Sequence, residues 1–329
     1  MKKIGLFFGG MSNEAEVSIM SAKNVIKNFD YNRYKLALIY WHKDGSFYHF
    51  KDISDIGKIS KAKKISVFDF KKIIDIALPM THGKYGEDGV LQSIFEWQKL
   101  KYCGCRVLSS ALCMDKAVFK EVINGAGINQ TGFYVINLAD IDKNNLNKFI
   151  KELKNKLRLP IYVKPSNSGS SVGITKVKKY ANLKFAIFEA KKHDSKIIIE
   201  EGLIDPREIE VAVLGNENLI VSDLGELILA KDFYSYDDKY VLGQTNTRIP
   251  AKLTMSQIIN IKNLAASAYK LSDCKGFARV DFFISKGKIY LNEINTLPGF
   301  TDISMFPMLM KNMGMNYKDL INKIISLAY

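Results

Sequence analysis

The sequence predicts an α/β fold that passes into an α+β arrangement toward its C-terminal end, and three observations carry this. Apolar strand-like runs alternate with helix-period segments through the first hundred residues. The strand runs of the final third come in pairs. The 329 residues are 47% apolar and 25% charged, an ordinary globular balance. Alternating strands and helices build a parallel sheet covered by helices, whereas paired runs build antiparallel sheet. At roughly 100 to 200 residues per domain, this length implies two or three domains with their own cores.

Taken in order, residues 4–8, 34–41 and 74–79 read as strands, while 13–27 and 87–100 repeat apolar residues at helical spacing. A further helix runs from Ser109 or Ser110, as its cap, through Lys116 to residue 124. A strand at 133–136 and a lysine-rich amphipathic helix at 140–157 follow. Next come strands in LPIYVKP and SVGITKV, on either side of a Gly/Ser loop. The final third holds the strand runs IIIEEGL, REIEVAVLG, FARVDFFIS and KIYLNEIN, with helices at 254–271 and 304–328. Segment 232–248, DFYSYDDKYVLGQTNTR, is long for a plain connection and reads either as a lid or as a surface loop. The change of pattern divides the chain into an N-terminal α/β domain (1–104), a central subdomain (105–200) and a C-terminal subdomain (201–329) carrying that lid.

The charge balance is basic, with 48 Lys plus Arg against 34 Asp plus Glu and a formal net charge of +14. Many of these lysines fall on solvent faces: Lys143, Lys148, Lys151, Lys154 and Lys156 on one helix, and Lys58, Lys61, Lys63 and Lys64 in one polar stretch. They lack the interleaved aromatics and motifs of a nucleic-acid surface, so no nucleic-acid partner is expected. The four cysteines have no zinc spacing and are too few for a disulfide scaffold; they read as reduced thiols. The apolar run at 4–8 is shorter than a signal-peptide core, and no stretch approaches the roughly 18 apolar residues of a membrane span. A cytoplasmic protein without membrane attachment is expected.

Four motifs carry chemistry. In FFGGMSNEAEVS a strand ends in Gly-Gly and opens into a helix, where ligands commonly bind. Glu14 and Glu16 there either complement the helix dipole or meet a ligand ammonium. In MTHGKYGEDGVLQ, His82 follows a strand end and three glycines follow it, which invites close approach to the backbone. In VKPSNSGSSVGI a strand delivers Lys164 beside a loop of serines and glycines able to wrap phosphates, or simply to turn. No Walker A loop is present, and no serine-hydrolase elbow is expected.

The fourth motif, GFARVDFFISKGKIYLNEINTLPGF, is the most specific. Arg279 and Asp281 lie two apart on one strand, and Glu293 and Asn295 two apart on the next, so each pair shares a face. Whether the two faces coincide depends on the hairpin register, which Lys286-Gly287 leaves open. If they do, oxygen ligands and a guanidinium converge, either as an internal salt-bridge network or as a site for Mg²⁺ or Mn²⁺ with phosphates.

Together these segments, with MDKAVFK, EEGLIDPREIEVAVLG, FYSYDDKY and NEINTLPGFTDISMFP, resemble the ATP-grasp superfamily and, within it, the D-alanine–D-alanine ligases, nearly end to end and in the family's order. The resemblance implies an ATP-grasp fold behind an N-terminal parallel-sheet domain. It also implies ATP-dependent joining of two D-alanines through an acyl phosphate for peptidoglycan precursors; the alternative is a D-alanyl-D-lactate former or another carboxylate–amine ligase. By that match Lys116, Lys164, Ser170 and Ser171 hold ATP phosphates, with the 169–173 loop over them. Glu200, Glu201 and the backbone at Leu203 line the adenine pocket, with the choice between the two glutamates open, and Glu208 binds the ribose. Asp281, Glu293 and Asn295 hold two Mg²⁺, which Mn²⁺ can replace, and Arg279 stabilises the oxyanion. Glu16 takes the ammonium of the first D-alanine and His82 lies near its carboxylate; Gly299, Ser304 and Met305 place the second. Lys239 meets the transferred phosphate, and Tyr240, linked to Ser170 and Glu16, points to dipeptide rather than depsipeptide formation. The resemblance also implies a homodimer.

Overall fold

The computed structural model describes residues 1–56, 58–140, 146–169, 172–228 and 246–329. Ser170, Ser171, Lys239, Tyr240 and the lid through residue 245 lie outside the described residues. Among the described residues three sheets follow one another along the chain.

The first is built from β1 (Lys3–Gly9), α1 (Ala15–Lys27), β2 (Lys35–Trp41), β3 (Phe47–Phe50), β4 (Lys63–Ile65), α2 (Phe70–Ile73), β5 (Ile76–Pro79), α3 (Val90–Trp97) and β6 (Lys101–Tyr102), with strand order β4-β3-β2-β1-β5-β6. The parallel pairs are β1 with β2, β1 with β5 and β5 with β6; β3 and β4 add antiparallel strands at one edge. β1 is covered on both faces: Ile4, Leu6 and Phe8 enter one core and Phe7 the other. That is why its run is continuously apolar. Lys63 and Lys64 stand exposed on the edge strand, where charge discourages further strand pairing.

The expected single helix at 109–124 is two: α4 (Val107–Met114) and α5 (Lys116–Gly125). Asp115 has extended backbone (φ −83, ψ 94) and caps α5 by accepting from the Val118 N–H, so a strong N-cap residue breaks what apolar spacing alone joins. Ser109 and Ser110 are buried within α4 rather than capping it. The second sheet, order β7-β10-β8-β9, comprises β7 (Phe133–Asn137), α6 (Leu146–Lys156), β8 (Ile161–Pro165), β9 (Thr175–Val177), α7 (Leu183–Lys191) and β10 (Lys196–Glu201). α6 and α7 cover one face. Among the described residues the resulting core draws only on positions 134–199.

The third sheet, order β13-β12-β11-β14-β15, contains β11 (Arg207–Leu214), β12 (Ile220–Ile228), β13 (Asn246–Arg248), β14 (Phe277–Ser285) and β15 (Lys288–Asn295), and is antiparallel throughout. Helix α8 (Met255–Leu271), started by a Thr254/Gln257 capping box, covers the face bearing Val211, Val280 and Phe282. The expected helix at 304–328 is also two, α9 (Met305–Asn312) and α10 (Tyr317–Ser326). Gly314 turns the chain at φ +87 and Asn316 caps α10 through the Asp319 N–H. Phe277, Phe300 and Phe306 join this sheet and these helices to the core of the first sheet.

At the junction, Gly276 adopts φ +71, its N–H donates to Asn216 Oδ1, and a Cβ there would stand 2.8 Å from the Gly104 Cα and N. Gly127 has nearly the same φ (+70) but open space around it. Gly127→Ala is therefore expected to cost about 1–2 kcal/mol for the left-handed backbone alone, and Gly276→Ala about 3 kcal/mol or more because backbone must move as well. Urea unfolding of the two variants measures the difference, and equal losses would rule out a tight junction.

Candidate functional site

The hairpin register left open by the sequence is settled: Arg279 pairs with Asn295 and Asp281 with Glu293, so all four side chains share one face. A bulge after Asp281, with Asn292 as the extra residue, lets Phe282 face Leu291 and keeps both strands apolar toward α8. β11 adds Glu208 and Glu210 to the same polar face, Glu210 being the register partner of Asp281. The Arg279 Nε–H donates to Asp281 Oδ1 at 2.8 Å and Nη2 donates to Oδ2 at 2.7 Å; Asn295 Nδ2 donates to the same Oδ2 at 2.9 Å. Glu210 Oε2 lies 3.0 Å from Arg279 Nε. Glu210 was missed in the sequence, although its period-two spacing from Glu208 in REIEVAVL placed it on that face.

Facing this sheet is the polar side of the second one. β10 pairs Glu200 with Tyr162 and Ile198 with Lys164, so Glu200 and Lys164 share a face with Tyr162. Glu200 Oε1 is 3.0 Å from Lys164 Nζ and Oε2 is 3.3 Å from Lys120 Nζ, which also donates to Thr131 Oγ1 at 3.1 Å. Burial pushes the Glu200 carboxyl up, but the two ammonium groups outweigh it and hold it down at about 2. Burial pushes Lys120 down, only partly opposed by Glu200, whereas for Lys164 the charges of Glu200 and Glu293 prevail over burial and raise it. Lys120 also escaped the sequence reading; the available signal was its position one turn beyond Lys116 on a helix whose other inward residues are apolar. Glu201 lies on the opposite side of β10 and accepts the Arg158 N–H at 2.6 Å. Between the two glutamates, Glu200 is therefore the one on the Lys164 face. Leu203 follows, half-buried, between β10 and β11.

Helix α5 connects the two polar faces. Lys116 Nζ donates to Ser168 O at 2.7 Å and stands 3.9 Å from Glu293 Oε2. The Lys116 and Ala117 N–H groups donate to Ser166 O and Oγ, and Asp115 accepts from Ser166 Oγ and pairs with Lys196. The N-terminal loops close the site from the third side. A Cβ on Gly83 would collide with Glu14 Oε2, and one on Gly169 would reach it at 2.9 Å, so Glu14 fills the gap between the two glycine loops. Burial, reinforced by Glu14, pushes the Glu87 carboxyl well above the usual carboxylate range, with the Gly83 N–H opposing. Glu16 stands exposed in the first turn of α1.

His82 is buried in a hydrogen-bond chain. Leu297 O can only accept, so His82 Nδ1 donates to it at 3.0 Å and Nε2 accepts from Ser21 Oγ at 3.1 Å. Ser21 Oγ in turn accepts the Phe300 N–H at 3.2 Å. Burial pushes the imidazole down despite Glu14, so His82 is a neutral tie holding the 297–300 segment to α1. Downstream, Ser304 Oγ accepts the Thr301 N–H at 3.0 Å, and a Cβ on Gly299 would lie 2.9 Å from it. The Met305 side chain is buried against Gly225.

Glu210, Asp281 and Glu293 set three carboxylates against Arg279 and Lys116, an excess of negative charge built from oxygen donors only. That chemistry fits Mg²⁺ or Mn²⁺ held by Asp281, Glu293 and Asn295. Among the described residues no group of three or more His, Cys, Asp or Glu side chains is arranged to hold a metal ion by itself.

Removing one member of the buried Lys120–Glu200–Lys164 set should cost about 3–5 kcal/mol, so Glu200→Gln is expected to lower unfolding free energy by that amount at pH 7. Glu200 is depressed from 4.5 to about 2, so its stabilisation is complete above pH 4.5 and is lost as pH falls toward 2. Urea unfolding at several pH values should find the gap between wild type and variant narrowing over that window. A constant gap would mean the carboxylate charge is not what stabilises.

Comparison with known proteins agrees with this geometry. Models of the D-ala D-ala ligase N-terminus and C-terminus match residues 3–105 and 122–326. The D-alanine–D-alanine ligase of Caldicellulosiruptor bescii is 42% identical over 99% of this chain and 94% of that protein, and the one of Clostridium novyi is 40% identical over 99% and 98%. Among solved structures, the VanG D-Ala:D-Ser ligase from Enterococcus faecalis superposes with a TM-score of 0.88 at 34% identity, covering 99% of each chain. The D-alanine–D-alanine ligase from Coxiella burnetii gives 0.86 at 31%, covering 100% of this chain and 95% of that one. The expected ATP-grasp fold with an N-terminal parallel-sheet domain is thereby borne out. With both ends matched by family models and relatives some 40% identical along nearly its whole length, the chain belongs to the D-alanine–D-alanine ligase family.

Proposed function

We propose that the protein joins two D-alanines to D-alanyl-D-alanine at the expense of ATP, supplying peptidoglycan synthesis. The observation that carries this reading is the coincidence, in a chain of this family, of Arg279, Asp281, Glu293 and Asn295 on one strand-pair face opposite Lys164, Glu200 and Lys116. A carboxylate is a poor electrophile because its leaving group is poor. Transfer of the ATP γ-phosphoryl group to one D-alanine carboxylate oxygen, releasing ADP, converts that oxygen into a phosphate leaving group. The amine of the second D-alanine then attacks the acyl carbon, the C–O bond to phosphate breaks, and the amine proton is lost.

Positioning and charge compensation supply most of the catalysis in such a sequence. Lys116 and Lys164 neutralise phosphate oxygens, with Ser170, Ser171 and Lys239 as further contacts. Glu200 lies toward the adenine side and Glu208 toward the ribose. A divalent cation held by Asp281, Glu293 and Asn295, two ions by family resemblance, would neutralise charge on the phosphates. Arg279, always protonated, faces the oxyanion of the tetrahedral adduct. Glu16 receives the first ammonium, and family resemblance links Tyr240 to it. Gly299, Ser304 and the start of α9 receive the second substrate, whose carboxylate suits a helix N-terminus. His82, buried and neutral, contributes by fixing the 297–300 segment. The reading includes a cytoplasmic homodimer. Four buried thiols in no disulfide and the absence, among the described residues, of a helix long and apolar enough to cross a membrane are compatible with that location.

Phosphate release should require ATP, Mg²⁺ and D-alanine together, and L-alanine should not replace D-alanine. With D-alanine as first substrate, D-lactate and D-serine should serve poorly as second substrates. D-serine belongs in this panel because of the VanG similarity. Turnover with D-lactate or D-serine equal to that with D-alanine would overturn the dipeptide assignment. Arg279→Ala should keep nucleotide binding, read by calorimetry, and lose about two to three orders of magnitude in kcat. Normal turnover in that variant would remove Arg279 from the oxyanion role.

A further inference from the structure

The Arg279 Nε carries one hydrogen and has two carboxylates within reach. That hydrogen is donated to Asp281 Oδ1 at 2.8 Å, while Glu210 Oε2 stands 3.0 Å from the same nitrogen. Asp281 spends its other oxygen on Arg279 Nη2 and Asn295 Nδ2. Asp281 thus has two demands on it, the guanidinium now and a divalent cation during turnover, and an oxygen turned to a cation weakens its hold on Arg279. Glu210 is buried (6% exposed), sits opposite Asp281 on the rigid centre of β11, and approaches Nε rather than Nη. An anchor at Nε does not itself draw on either terminal nitrogen.

We propose that Glu210 is a positioning residue that takes over the Arg279 Nε–H when Asp281 turns to the cation, so that the guanidinium keeps its aim through the exchange. The inference rests on the ligase reading and on Asp281 as a metal ligand. Glu210→Gln removes the charge and keeps the shape. Its kcat should fall at least about tenfold, while the KM for ATP stays within about twofold of wild type. Because more of the hold on Arg279 then falls to Asp281, the Mg²⁺ concentration that half-saturates the enzyme–ADP complex in calorimetry should rise several-fold, with Mg²⁺-free ADP binding unchanged. Glu210→Asp, which keeps the charge with one methylene less reach, should fall between wild type and Glu210→Gln in both readouts. Wild-type kcat and Mg²⁺ dependence in Glu210→Gln would overturn the proposal. So would a loss of Mg²⁺-free ADP binding as large as the loss of kcat. If Gln prevents folding, Asp alone decides, and a wild-type Mg²⁺ dependence there overturns it. Wild-type enzyme without D-alanine-dependent phosphate release would instead sink the ligase reading, while the ADP and Mg²⁺ calorimetry would still test the exchange.

Discussion

A buried carboxylate between two ammonium groups is the constraint on which the rest of the site depends. Glu200 sits on β10 and its cationic partners come from β8 and α5, so satisfying it draws a strand pair and a helix from outside the second sheet's core into one arrangement. An uncompensated charge at that depth would be far costlier than the loss of any single apolar contact. Lys164 is thereby held at the rim with its charge reinforced, and α5 is held where its first residue, Lys116, reaches both Ser168 and Glu293.

The third sheet solves a different problem, that of keeping several charges rigid without unravelling a core. β14 alternates Ala278, Val280 and Phe282 toward α8 with Arg279 and Asp281 toward the site. Each apolar residue locks the backbone that carries the charged residue beside it. The charged face is then a fixed lattice of strand positions, with hydrogen bonds linking β14 to β15 and an ion pair linking β14 to β11.

The fold and most of the site were legible in the sequence because both are written in short-range periods. Alternation of strand and helix gave the first sheet, period-two spacing gave the Arg279/Asp281 and Glu293/Asn295 faces, and order of motifs gave the family. What escaped was decided by single residues or by distant partners. Asp115 and Gly314 end helices whose apolar spacing runs on past them, and a cap outweighs periodicity. The hairpin register came from a bulge at Asn292 that no local signal marks. Lys120 and Glu210 went unremarked because the partners that define them lie 80 and 69 residues away. His82 kept its place near the site, but its partners at positions 21 and 297 make it a neutral tie rather than a proton carrier.

The separate core of the second sheet has a mechanical consequence. Among the described residues its packed apolar interior draws on its own segment alone, and the contacts described between it and α5 are directional: the Ser166 hydroxyl on Asp115, two backbone donors to Ser166, and ion pairs at Lys196 and Glu200. Apolar surfaces tolerate sliding, because one contact replaces another at little cost, whereas hydrogen bonds and ion pairs lose most of their strength over small displacements and rotations. A lobe seated in this way resists gradual sliding. To shift, it must break a whole set of directional contacts at once, so the distance between Lys164 and the carboxylates across the cleft is held against small drifts.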